Sequence, residues 1–367
     1  MFEAPNSGIT KTGLTVALDC MGGDNAPASV IEGADIARLR FPGAKFLLFG
    51  DETLIRPLLA KYPQLVACSE VRHTADSIGN EVKAAVALRQ GRSSSMRLAI
   101  NAVAEGEASC VVSAGNTGAL MAMAKFVMKT LPGIDRPAIA TFFPTQTGES
   151  VMLDMGANVD CEAKNYVEFA IMGALFARTV LGIINPRIGL LNIGSEEMKG
   201  HDTLRDAFMQ LKNIALPGSF LGFIEGNDIG AGRADVIVTD GFSGNVALKT
   251  IEGTARMITH FIRESFRHSI FATIGYIFAR GTIKRLKERI DPRRYNGAMF
   301  LGLKGVCVKS HGGTDAFGFA SAIGVAIDLV KQDFNGRIHH ELEKMGPLTG
   351  LNITPAVPLA MTETEEV

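Results

Sequence analysis

Cys110-Val111-Val112 runs directly into Ser113-Ala114-Gly115-Asn116-Thr117-Gly118, and helix-compatible sequence follows. A short β-branched run, a glycine-rich polar loop and a helix in that order make a strand-to-helix unit. The unit recurs. Val16-Ala17-Leu18 leads to Asp19-Cys20-Met21-Gly22-Gly23-Asp24, and Val151-Met152-Leu153 to Asp154-Met155-Gly156-Ala157-Asn158. Ile188-Gly189-Leu190-Leu191 leads to Asn192-Ile193-Gly194, and Phe223-Ile224 to Glu225-Gly226-Asn227-Asp228. Val236-Ile237-Val238 leads to Thr239-Asp240-Gly241-Phe242-Ser243-Gly244-Asn245, and Val306-Cys307-Val308 to Lys309-Ser310-His311-Gly312-Gly313. Strands that are apolar on both faces and alternate with helices imply an α/β fold, a mostly parallel sheet with helices on both sides in three α/β/α layers. In such sheets ligands bind at the carboxyl ends of the strands, so the seven loops are expected to converge on one cleft.

The chain has 367 residues, 47% of them hydrophobic, with 40 glycines and a net charge of −1. That length permits one large domain or two moderate ones. No Pro/Ser-rich linker interrupts the middle, so one continuous domain is expected over residues 14–345. Residues 1–13 and 346–367 lack an apolar period and are expected to be loose tails. Near-neutral charge argues against a nucleic-acid partner. Five scattered cysteines without a C-x-x-C pair suit buried thiols of a reducing compartment. No run approaches the roughly 20 apolar residues of a spanning helix, and the N-terminus has no signal-peptide pattern. A cytoplasmic protein is expected, with no metal and no cofactor.

The loops carry anion chemistry. Glycine lets backbone N–H groups approach an anion, and a helix N-terminus adds partial positive charge. Lys199 is a candidate point charge for phosphate. Asp19, Asp24, Asp154, Asp228 and Asp240 could orient the donors, or could simply cap the helices that follow. Other motifs fail on spacing. No P-loop pattern is present, and Gly230-Ala231-Gly232 precedes a strand instead of following one. Gly241-Phe242-Ser243-Gly244 nearly forms a nucleophile elbow, but Asn245 occupies the last glycine position, which leaves a serine hydrolase as a minor alternative. The seven histidines show no metal-ligand spacing, and His201 and His311 read as hydrogen-bonding loop residues.

Taken in order, these segments resemble the phosphate acyltransferase family of bacterial phospholipid synthesis (PlsX). The resemblance is carried by Leu18 to Pro27, Ser94-Ser95-Met96, Val112 to Leu120, Asp154 to Asn158 and Asn192 to Glu197. It continues through Glu225 to Asp228, Thr239 to Asn245 and His311-Gly312-Gly313. Cys20 stands where alanine is expected, Asp76 to Asn80 lacks an expected proline, and Gln90-Gly91 replaces a more basic pair.

The resemblance implies an isocitrate-dehydrogenase-like and phosphotransacetylase-like fold. It implies reversible conversion of an acyl carrier protein thioester and inorganic phosphate to acyl phosphate, in a homodimer that supplies a membrane-bound glycerol-3-phosphate acyltransferase. Phosphate is itself a nucleophile, so the protein has to position it and stabilise the oxyanion. Lys199, Asn227, Asp228 and Asn245 are the candidate catalytic residues. Lys199 and the amides of Gly115 to Gly118 are placed on phosphate, and the other three orient it or the carbonyl. Asp19, Gly22, Gly23, Asp24, Ser113, Gly115, Asn116, Thr117, Gly118, Asp154, Asn158, Asp240, Ser243, His311, Gly312 and Gly313 are candidate binding residues. A coenzyme A-dependent phosphotransacetylase and a non-catalytic binding protein are the alternatives.

Residues 262–294 differ in character from the rest. Ile262, Phe266, Ile270, Ile274, Ile277, Phe278, Ile283, Leu286 and Ile290 recur at helical spacing. Nine basic and three acidic residues give the segment a charge of +6 and leave −7 on the remainder. A protruding basic amphipathic helical segment is expected, suited to an anionic membrane or an acidic carrier protein, or to packing between subunits.

Overall fold

The structure, a computed structural model, describes residues 13–266, 275–276, 278–285, 291, 293 and 296–345. The two expected tails lie outside the described residues, except Gly13, as do Ile270, Ile274, Ile277, Leu286 and Ile290 of the amphipathic series.

One sheet is built from eleven strands: β1 (Thr15–Asp19), β2 (Lys45–Gly50), β3 (Ser69–His73), β4 (Cys110–Ser113), β5 (Ala138–Pro144), β6 (Glu149–Leu153), β7 (Arg187–Leu191), β8 (Ser219–Ile224), β9 (Val236–Val238), β10 (Ala298–Leu301) and β11 (Val306–Lys309). Their order is β3-β2-β1-β4-β11-β10-β5-β6-β9-β7-β8. All seven runs singled out in the sequence are strands. Pairing is parallel from β3 through β11 and again from β6 through β8.

The centre of the sheet reverses direction. β10 is antiparallel to both β11 and β5, and β5 is antiparallel to β6. Three antiparallel interfaces therefore separate two parallel blocks that run in opposite senses. The loops after β1, β4 and β11 open at one sheet edge, and those after β6, β7, β8 and β9 open at the opposite edge. The seven loops thus leave the sheet in two groups, three from one parallel block and four from the other.

Alternation along each strand divides the core between the two sheet faces. Val16, Leu18, Cys110 and Val112 belong to one buried cluster with the helices Ala28–Arg40 and Ala316–Lys331, and Ala163–Val180 extends it over β6, β7 and β9. Ala17 and Val111 face the helices Ser95–Ala104 and Thr117–Met128. The helix Ala163–Val180 is buried almost all round, from Asn165 to Ala177. Each large aliphatic side chain so buried contributes about 1.5–3 kcal/mol, which explains why the strands need no polar face. All five cysteines are free thiols.

The helix Gly241–Ser265 starts in the body and leaves it. Gly241 and Gly244 are its buried residues, and Met257, Ile258 and Phe261 are exposed on its outer half. Residues 278–285 are helical, and the Phe266 and Tyr276 rings meet edge-on with centroids 5.4 Å apart. Among the described residues no helix is long and apolar enough to cross a membrane.

Candidate active site

The loops after β1, β4 and β11 form one cradle around a buried carboxylate. Asp19, 1% exposed, accepts hydrogen bonds from Ser95 Oγ and Ser113 Oγ, both at 2.6 Å, and from the Met21 amide at 3.3 Å. Burial pushes its carboxyl above the usual range, against the pull of those bonds and of Lys309. Ser113 Oγ also accepts from the Gly115 amide at 3.1 Å, so the carboxylate fixes the start of the β4 loop.

Close approach of the loops demands glycine. A Cβ at Gly22 would lie 2.5 Å from Asp19 Oδ2 and 2.6 Å from the Gly115 nitrogen. Gly23 has φ +101°, a left-handed conformation that side-chain-bearing residues rarely adopt. The Asp24 amide donates to Gly312 O at 2.9 Å, which ties the β1 loop to the β11 loop.

Behind this cradle starts the helix Thr117–Met128. Asn116 caps it by accepting from the Ala119 amide at 3.0 Å, and its Nδ2 donates to Asn80 O and Val82 O. Thr117 and Gly118 are exposed on the first turn, where the unpaired amides and the helix dipole favour an anion. Asp24 is exposed, and Asn80 Nδ2 donates to its Oδ1 at 3.0 Å. His311 Nδ1 accepts from the Gly313 amide at 3.1 Å, the loop role expected of it; His201 Nδ1 likewise accepts from the Leu204 amide at 3.3 Å.

Lys309, the last residue of β11, points into the cradle. Its Nζ donates to Ala114 O at 3.1 Å and to Ser310 O. Burial pushes the ammonium down to about 8, although Asp19 and Asp24 favour its charge. Sequence reasoning missed Lys309, Asn80 and Ser95 as site residues. The one available signal was a lysine closing a run otherwise buried, Val306-Cys307-Val308.

A second polar cluster occupies the opposite edge. Asp154 is fully buried and accepts from the amides of Ile139, Ala157 and Asn158 and from Asn158 Nδ2. Asp240 caps the helix Gly241–Ser265 by accepting from the Ser243 amide at 2.8 Å; it also accepts from Ser243 Oγ at 2.9 Å and from the Tyr166 hydroxyl at 3.5 Å. Ser243 thus answers a carboxylate on a helix turn, not a histidine. Asn245 lies beside Gly156. Of the five loop acids, Asp240 is a helix cap, and Asp228 accepts from the Glu225 amide in a capping box while pairing with Arg233. Asp19 and Asp154 instead organise loops.

Lys199 and Asn227 are exposed at this same edge, after β7 and β8, where the Asn192 amide donates to Ile224 O and joins the two strand ends. Lys199 thus belongs to a different loop group from the Gly115–Gly118 amides with which the sequence reading grouped it. The second edge collects Lys199, Asn227, Asp228 and Asn245; the first collects the glycine cradle.

A family model described as "Fatty acid synthesis protein" matches residues 14–337. The chain is 64% identical over 330 residues to a phosphate acyltransferase of Rhodospirillum centenum, covering 90% of this chain and 93% of that one. It is 58% identical over 332 residues to one from Rhodospirillum rubrum, covering 90% and 95%. Among solved structures, a phosphotransacetylase from Streptococcus pyogenes matches with TM-score 0.57 and 19% identity, over 88% of this chain and 95% of that one. EutD phosphotransacetylase from Staphylococcus aureus matches with TM-score 0.55 and 16% identity, covering 88% and 95%; both likenesses concern the fold. With a family model spanning residues 14–337 and relatives this close, the chain belongs to the fatty acid synthesis protein family, and it is a phosphate acyltransferase.

Proposed function

We propose that the chain catalyses reversible formation of acyl phosphate from a fatty acyl carrier protein and inorganic phosphate. The observation that carries this reading is the cradle at the ends of β1, β4 and β11, where three glycine-rich loops and a capped helix N-terminus meet. Such a site offers amides to a tetrahedral anion and needs no enzymic nucleophile. Phosphate sits against the Gly115–Gly118 amides, beside Gly22, Gly23, Gly312 and Gly313. Lys199, Asn227, Asp228 and Asn245 act on the same substrate across a homodimer, one copy's second loop group facing the other's first. The product supplies a membrane-bound glycerol-3-phosphate acyltransferase in phospholipid synthesis.

The basic segment 262–294 serves the acidic carrier protein or an anionic bilayer. Exposed Phe278 and the outer half of Gly241–Ser265 support a surface role. Failure to co-sediment with anionic vesicles at low salt would remove the bilayer.

The deciding assay is phosphate-dependent loss of thioester from a long-chain acyl carrier protein, with mass detection of acyl phosphate. Acyl phosphate formed only when phosphate is present supports the reading. A coenzyme A-dependent reaction is the second reading, favoured by the shared fold with phosphotransacetylases; preference for acyl coenzyme A in the same assay would install it. Hydrolysis without phosphate would point to Ser243.

A further inference from the structure

Among the described residues no hydrogen bond or ion pair joins Lys199, the cation assigned from the sequence, to the glycine cradle. Lys199 follows β7, and in the sheet order β7 stands five strand spacings from β11. At about 4.8 Å per spacing that is roughly 24 Å between the strand axes along the sheet, and the two strands run in opposite senses.

Lys309 is in the right place. Its ammonium is held by two backbone carbonyls, Ala114 O on the β4 loop and Ser310 O on the β11 loop. Among the described residues no carboxylate stands within ion-pair distance of it, and no protein acceptor takes its third N–H. Asp19 has its oxygens engaged by Ser95, Ser113 and the Met21 amide, and Asp24 is engaged by Asn80. Withdrawing an ammonium from water without a directly paired counter-charge is costly. The lowered proton affinity of Lys309 is the mark of that cost. A bound oxyanion would provide the missing charge and take the unused N–H. The two carbonyl anchors would then point that N–H at one spot between the loops.

We infer that Lys309 is the phosphate-binding cation of this enzyme, its Nζ donating to a phosphate oxygen held between the Ala114–Gly118 and Ser310–Gly313 loops. The inference rests on inorganic phosphate being the acyl acceptor. The anchors also make Lys309 a cross-link between the β4 and β11 loops, so the charge and the shape of the cradle depend on one side chain.

The test is calorimetric titration of the full-length protein with inorganic phosphate, with sulfate as a parallel arm, for wild type, Lys309→Met, Lys309→Arg and Lys199→Met. Hydrogen bonds to charged groups are strong enough that Lys309→Met should weaken phosphate at least about tenfold. Its KM for phosphate should rise while the KM for the acyl donor holds. Lys309→Arg keeps the charge and should recover part of the affinity. Phosphate binding by Lys309→Met within about twofold of wild type, or loss in Lys199→Met alone, would overturn the assignment.

A wild-type measurement covers the case in which the variants misfold. Saturating phosphate should slow acylation of Lys309 by a small amine-directed reagent, read by peptide mass; an unchanged rate would overturn the inference. The two readings fail separately. A wild type that makes no acyl phosphate but loses phosphate affinity in Lys309→Met retires the reaction and keeps the site. Undiminished acyl phosphate formation in Lys309→Met retires the site and keeps the reaction.

Discussion

Lys309 shows what a single residue hides in a sequence. Val306-Cys307-Val308 is plainly a strand and Gly312-Gly313 plainly a turn, so the lysine between them reads as an ordinary polar strand end. Its significance comes from what surrounds it: Asp19 and Asp24 across the cradle, Cys307 on its own strand and His311 in the next loop. Burial holds its folded pKa at about 8 against an ordinary 10.5. Between those values the unfolded chain carries more protons, so the cost of the charged lysine is fully present below pH 8 and is relieved as pH approaches 10.5. Phosphate affinity should run the other way and fall as pH rises through about 8, where the ammonium is lost. Arginine stays charged throughout. The ratio of wild-type to Lys309→Arg affinity cancels the titration of phosphate itself and should decline across that window. A flat ratio from pH 7 to 9 would show that the lysine charge does not reach phosphate.

Among the elements, the helix Gly241–Ser265 depends on how its first turn is seated. A Cβ at Gly244 would land on the Asp154 carbonyl oxygen, and Asp154 in turn organises the β6 loop. Overpacking of this kind costs about 1–3 kcal/mol, so Gly244→Ala should lower the unfolding free energy by that amount in urea titration, moving the midpoint down; an unchanged midpoint would mean the helix is free to shift.

A second helix gives a pH signature. Glu168, on Ala163–Val180, is 6% exposed and accepts from the Asp135 amide at 3.2 Å. Burial raises its carboxyl from 4.5 to about 7, overriding the amides of Asp135 and Arg136 and the nearby Lys164. In that interval the folded state holds the extra proton, so stability should fall as pH rises from 4.5 to 7 and the cost is complete above it. Glu168→Gln should flatten that part of the profile in thermal melts. A slope identical to wild type would place the titration elsewhere.

The seven strands beside glycine loops were legible because apolar runs and turn residues are local signals. β2, β3, β5 and β10 were not read. β5 (Ala138–Pro144) and β10 (Ala298–Leu301) are apolar runs that lead into a hairpin or a short turn and not into a helix, so the strand-to-helix pattern passed over them.

β5 and β10 decide the architecture of the whole molecule. They place three antiparallel interfaces between the blocks, and sequence periodicity carries no sign of strand direction. The loop chemistry was therefore visible while its division between two sheet edges was not. The division makes a demand on assembly. If Lys309 on the first edge and Lys199 on the second both serve one acyl transfer, the active site is shared by two copies related by a twofold axis. Each dimer then has two sites, each joining one copy's first edge to its partner's second edge. In a mixed dimer of Lys309→Met and Lys199→Met subunits, one site collects both defects and the other collects none. Random mixing makes half the dimers mixed, so two nearly inactive preparations, mixed and refolded together, should recover about a quarter of wild-type activity. Refolding each alone should recover nothing. Absence of recovery, with dimers formed and each single variant inactive, would mean that both lysines act within one chain. Full activity in Lys199→Met alone would instead leave the first edge as a complete site, with Lys309 its cation.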